Sequence, residues 1–218
     1  MDSRAHILDA INRRQRQEIM LPSLEHSWTV YVDRRRQFAE ALRGVGGECI
    51  VAENVDELNR RLSELPAYAE AEKRISTVSG AAQSSVELQA IEDPHHLEDV
   101  DFAILPGHFG VAENGAVWTT DAGLKHRVLY FIAQHVALVV PGEAIVNNMH
   151  EAYQRVASSP NARWARERVG GFGTFISGPS KTADIEQSLV IGAHGARSLT
   201  VFLLDSLRPD DLSPEAFQ

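Results

Sequence analysis

The densest run of chemistry-bearing residues is Gly173-Thr-Phe-Ile-Ser177-Gly178-Pro179-Ser180-Lys181-Thr182-Ala-Asp184-Ile-Glu186. Its pattern predicts a strand over 174–177, a tight turn over 178–180 and a helix over 183–192. The first N–H groups of such a helix are unpaired and point outward. Together with the helix dipole they form an anion site. Ser177, Ser180 and Thr182 would add hydroxyls, Lys181 a positive charge, and Gly178 the turn itself, so a phosphate or carboxylate is the expected ligand. Asp184, Glu186 and His194 complete the candidate binding set. The run is not a Walker A loop, which needs Lys directly after its second Gly. It also has a purely structural reading. Ser180 or Thr182 would cap the helix, and Asp184 and Glu186 would answer its dipole.

A second cluster is Gly110-Val-Ala-Glu113-Asn114-Gly115-Ala-Val-Trp118. Asn114-Gly115 between apolar runs signals a turn, which leaves Glu113 at a strand end. In dry surroundings that carboxylate could act as nucleophile or general base, and Glu113 is the one candidate catalytic residue. Its structural alternative is an exposed turn glutamate. Nine histidines raise the question of a metal. His150-Glu151 lacks the second His of an HExxH helix, and His126, His135, His150 and His194 are scattered, so no metal site is expected. His194, between Gly192 and Gly195, also reads as a polar helix cap.

These residues must be carried by alternating helices and strands. Ile7, Leu8, Ile11 and Ile19 predict an amphipathic helix over 3–19, and Phe38, Ala39, Ala41 and Leu42 a second over 33–43, stopped by Gly44, Gly46 and Gly47. A strand is expected over 49–52. Asn54, with Glu57 three residues on, predicts a capped helix over 55–65. Strands follow over 74–79, 101–105 and 116–119, with 106–110 read as a Gly-rich turn. The continuous apolar run 133–140 fits a strand of a parallel sheet covered on both faces. A helix over 143–157 and a last parallel strand over 199–204 complete an α/β rhythm. The expected organisation is an N-terminal helical segment (1–45), an α/β domain (46–205) and a peripheral tail (206–218).

Twenty-one Lys and Arg against thirty Asp and Glu leave a formal charge of −9. That balance repels phosphate backbones and anionic lipid, which argues against nucleic acid and membrane surfaces. The Arg34–Arg36 triplet reads as a solvated helix face. No stretch has the length of a signal peptide's apolar region or a spanning helix, so a cytoplasmic protein is expected. The single Cys49 cannot close an intrachain disulfide or hold an iron–sulfur cluster alone. In Glu48-Cys49-Ile50-Val51-Ala52 it reads as a small buried hydrophobe. No cofactor is expected.

The run Ile176-Ser-Gly-Pro-Ser-Lys-Thr-Ala-Asp-Ile-Glu186, continued through Gly192-Ala-His194-Gly195 to Leu204, closely resembles the C-terminal signature of the LUD domain family. The block 107–118 resembles that family's turn-and-strand block, with Asn114 where the family more often has Thr. The resemblance covers roughly 70–205. It implies a fold similar to the NagB/RpiA/CoA-transferase group, with a mostly parallel central sheet and helices on both faces. A stand-alone domain without cysteine clusters looks like the lactate utilization protein C type. That type belongs to a three-part bacterial system oxidising L-lactate to pyruvate, so the implied partners are its iron–sulfur A- and B-type components, besides a small anionic metabolite. Ala112-Glu113-Asn114-Gly115 also resembles the Ser-Glu-Asn-Gly of family I CoA-transferases, whose Glu forms an acyl-CoA intermediate. An independent CoA-transferase-like or cyclo-ligase-like enzyme using Glu113 is therefore the alternative.

Overall fold

The computed structural model describes residues 3–13, 20, 22–23, 26–158, 171–182, 189–208 and 211. The first helix, α1 (Ser3–Arg13), leaves Ile7, Leu8 and Ile11 about half exposed. Helix α2 (Arg34–Gly44) begins where the Asp33 carboxylate accepts the Arg36 amide at 2.9 Å, and it buries Phe38 and Leu42. Strand β1 (Glu48–Ala52) then leads to the predicted capping box. Asn54 accepts the Glu57 amide at 2.9 Å, the Glu57 carboxylate accepts the Glu53 amide at 3.0 Å, and α3 (Val55–Ser63) follows. A short α4 (Pro66–Ala69) has Pro66 at its first turn.

Strands β2 (Arg74–Ser76), β3 (Phe102–Pro106), β6 (His135–Pro141) and β11 (Ser198–Leu204) join β1 in one five-stranded sheet, ordered β1-β11-β6-β3-β2 and parallel throughout. Successive side chains alternate between its faces. Ala103, Leu105, Val136, Leu138, Val201 and Leu203 meet Phe38 and Leu42 of α2, together with Leu129 and Tyr130 of α5 (Leu129–Ile132). Phe102, Ile104, Ala137, Val139, Phe202 and Leu204 meet Leu58 and Leu62 of α3 on the other side. Both faces are thus buried by helices, which is why 133–140 reads as an unbroken apolar run.

A second sheet, ordered β7-β4-β5-β8, contains β4 (Phe109–Val111), β5 (Ala116–Thr120), β7 (Ile145–Val146) and β8 (Gly173–Ile176). Val117 and Ile145 point into the core shared with α2, whereas Phe109, Val111 and Ala116 lie under α6 (Met149–Ser158). Several expectations are corrected here. The Gly-rich segment 106–110 is not a turn throughout, because Phe109 and Gly110 open β4. The strand at 174–177 lies in this second sheet, antiparallel to β5. The helix expected over 143–157 starts only at Met149, since Ile145 and Val146 pair with Gly110 and Val111. Lys181 and Thr182 form β9 (Lys181–Thr182), which pairs antiparallel with β10 (Val190–Ile191), so the helix expected over 183–192 does not include its last residues. Residues 183–188, with Asp184 and Glu186, lie outside the described residues. No helix among the described residues is long and apolar enough to cross a membrane.

Candidate functional site

The turn between β4 and β5 carries Glu113, Asn114 and Gly115. The Gly115 amide donates to Val111 O at 2.9 Å, and Asn114 Oδ1 accepts the Ala116 amide at 3.1 Å. Gly115 has φ +67°, and a Cβ on it would lie 2.6 Å from Leu42 Cα and N. Only glycine lets this turn press onto the backbone of α2. The Glu113 amide donates to Asn147 O at 3.0 Å, and its exposed carboxylate accepts the Met149 amide at 2.8 Å. It therefore closes the N-terminus of α6. Beside it, Asn148 Oδ1 accepts the Glu151 amide at 3.0 Å and the Glu151 carboxylate accepts the Asn147 amide at 2.8 Å. A negative charge at this helix end is favourable.

The second cluster comes to the same place. Ser177 Oγ donates to Asn114 O at 2.8 Å. Gly178 (φ +72°) sits so close to the end of α2 that a Cβ would be 2.6 Å from Val45 O. Lys181 Nζ donates to that same carbonyl. Its charge thus answers the C-terminal end of α2, where cations are stabilised. The Ser180 amide donates to Ala196 O and the Gly192 amide to Ser180 O, each at 2.9 Å, and a Cβ on Gly195 would lie 3.3 Å from Ser180 Oγ. The loop bearing the exposed His194 is thereby folded onto Ser180, and Thr182 lies beside it in β9.

Glu113, Ser177, Gly178, Ser180, Lys181 and Thr182 are therefore gathered around the last turn of α2 and the first of α6. Within the described residues their polar groups are committed largely to backbone partners. The anion site expected at a helix start after Lys181 is not formed by Lys181 and Thr182, whose backbone belongs to β9.

The histidines do not converge. His95 Nδ1 lies 2.7 Å from Asp93, His126 Nε2 2.7 Å from Ile91 O and His135 Nδ1 2.7 Å from Ser198 Oγ, while His150 stacks on Trp28 with centroids 3.4 Å apart. Among the described residues no three His, Cys, Asp or Glu side chains come together as metal ligands. Cys49 is half-buried, and burial pushes its thiol up to about 11, so it stays protonated.

One group escaped the sequence reading. His108 lies just past the carboxyl end of β3, with Nε2 2.8 Å from Thr120 Oγ1. Burial, and secondarily the Arg155 guanidinium, push its pKa down to about 4. Arg155 itself sits 5.0 Å over the Phe109 ring. The available signal was Pro106-Gly107-His108, a polar residue directly after an apolar parallel strand.

Comparison with known proteins places this geometry. The LUD domain profile matches residues 78–204, which include both motif blocks. Lactate utilization protein C 1 of Bacillus mycoides is 31% identical over 114 residues, 52% of this chain and 47% of that protein. Lactate utilization protein C of Shouchella clausii is 29% identical over 108 residues, 50% of this chain and 45% of its own length. The chain thus spans about half the length of the curated relatives it matches. An uncharacterized protein of Neisseria meningitidis serogroup B is 25% identical over 202 residues, 86% of this chain and 83% of that protein. The crystal structure of a DUF162 family protein from Deinococcus radiodurans superposes with a TM-score of 0.56 at 17% identity, over 80% of this chain and 99% of that one, and shares the fold. The chain belongs to the LUD domain family.

Proposed function

We propose that this chain is the non-redox, C-type component of a bacterial L-lactate oxidation system, working in the cytoplasm beside iron–sulfur A- and B-type proteins. Its family membership and the names of its lactate utilization relatives support the assignment. A single, protonated cysteine fits a component that brings no cluster ligands of its own.

The observation that carries the site is the meeting of the two motif blocks through Ser177 and Asn114, 2.8 Å apart, on an exposed surface at the end of α2. Glu113, Ser177, Lys181 and His194 are all exposed there. An exposed arrangement braced by backbone hydrogen bonds suits recognition of another protein better than chemistry that needs a dry cavity. Acyl transfer through Glu113 is disfavoured for that reason, since its carboxylate already serves Met149.

The test is growth on L-lactate of a deletion strain carrying the wild-type chain, Lys181→Ala or Ser180→Ala, paired with pull-down of the iron–sulfur components. Impaired growth and weakened capture by the variants are expected. Unimpaired growth with both variants would remove this surface from the function. Absence of any capture by the wild-type chain would remove the partner assignment.

A further inference from the structure

The face of the second sheet under α6 holds a group of cations with no acid to match. Arg155 is half-buried above Phe109, and Arg34 lies close enough to lower its pKa further. His108 stands beside Arg155. Among the described residues no carboxylate pairs with Arg155 or Arg34, although other arginines are paired. Arg35 meets Asp205 at 2.6 Å, Arg36 meets Glu40 at 2.9 Å and Arg60 meets Glu64 at 2.7 Å. In a chain of net charge −9 that omission is selective. A partly desolvated guanidinium without a counter-charge raises the free energy of the folded state, and a bound anion relieves it.

The surroundings define the anion. His108 follows the carboxyl end of β3, the edge of a parallel sheet where open α/β folds take their ligands. The Gly107 amide donates to Val139 O at 2.8 Å, fixing that exit. Thr120 Oγ1 touches His108 Nε2 at 2.8 Å and accepts the Ala122 amide at 3.3 Å, which orients the imidazole and leaves Nδ1 for another partner. The wall is aromatic. Trp118 and Phe175 lie 4.7 Å apart between centroids, Phe109 and Phe175 6.2 Å apart, and Gly173 admits Trp118 where a Cβ would be 2.5 Å from its ring.

We propose that His108, Thr120 and Arg155 form a binding site for a small monocarboxylate, distinct from the surface at the end of α2. The planar guanidinium of Arg155 takes the carboxylate through paired N–H donors. The neutral imidazole of His108 takes a neighbouring polar atom of the ligand, and the Phe109–Trp118 wall covers its carbon chain. One half-buried cation beside a neutral ring matches a single negative charge better than a phosphate dianion.

The experiment is calorimetric titration of the full chain with acetate, L-lactate, pyruvate and inorganic phosphate. Wild-type protein is expected to bind at least one of the carboxylates saturably and more tightly than phosphate. Arg155→Gln should weaken that binding at least about tenfold, the loss expected for a charge-assisted hydrogen-bonded pair. If circular dichroism shows Arg155→Gln unfolded, His108→Gln carries the test and should also weaken binding. No carboxylate binding by folded wild-type protein, undiminished binding by the variants, or tighter binding of phosphate each overturns the proposal. Partner capture is read separately, so loss of either result leaves the other standing.

Discussion

The Glu113 carboxylate and the Met149 amide, 2.8 Å apart, tie the β4–β5 turn to the start of α6. A residue with the sequence hallmarks of a nucleophile is a helix cap supplied from thirty-six positions away. Replacing it by Ala should cost about 1 kcal/mol, as for other lost N-terminal caps. Glu113→Gln keeps an acceptor and should cost a few tenths. Urea denaturation measures both. A Glu113→Gln chain that folds normally yet fails to support growth on lactate would restore a chemical role to the carboxylate.

Gly115 faces the harder constraint. A side chain there meets the Leu42 backbone at 2.6 Å in a left-handed conformation. Gly115→Ala is expected to destabilise the fold by about 3 kcal/mol, combining backbone strain with overpacking. Gly44, which has nothing within 4 Å of its would-be Cβ, provides the contrast. Gly44→Ala should cost nothing or stabilise α2. Equal melting temperatures for the two variants would contradict the close approach.

His108 makes stability depend on pH in a definite direction. Its folded pKa is about 4, against an ordinary value of 6.5. Between those values the unfolded chain binds the proton and the folded chain does not, so stability rises with pH across this window. The group is fully neutral in both states above it, and its contribution is lost progressively as the pH falls from 6.5 towards 4. The loss amounts to roughly 3 kcal/mol when complete. His108→Gln should flatten that part of the stability profile. NMR titration of the imidazole should show a neutral ring at pH values near 6.

Lys181 closes the end of α2 through Val45 O. Lys181→Ala should cost about 0.5 kcal/mol at low salt and less at high salt, as for an exposed cation at a helix C-terminus. A thermal melt at two ionic strengths reads the difference. A variant that is stable but captures no iron–sulfur partner would separate recognition from folding.

Elements governed by near neighbours were legible from the residues. The Asn54–Glu57 capping box needs only three positions and forms as expected. The apolar run through Val136–Val140 announces a strand covered on both faces, and it sits at the centre of the sheet. What could not be read depends on distant contacts. Gly107 and Gly110 look like turn residues, but they are small because Val117, Val140, Ile145 and Phe38 occupy the space of their side chains. Lys181 looks like an anion ligand because its actual acceptor, Val45, lies 136 positions away. The two motif blocks were recognised separately. Their union through Ser177 and Asn114 is a product of the tertiary fold. His108 passed unnoticed because a single histidine carries no spacing signal.

The placement of β11 has a consequence for how the chain is made. Val201 pairs with Cys49 on one side and with Leu138 on the other, so the C-terminal-most strand among the described residues lies inside the sheet. During synthesis β1 emerges first but must wait for roughly 150 further residues before its neighbour exists. Until then β1 and β6 both present open edges, the condition under which nascent chains pair wrongly. A ribosome stalled before Ser198 would hold a sheet split in two, which makes this protein a natural client of chaperones that shield unpaired strands.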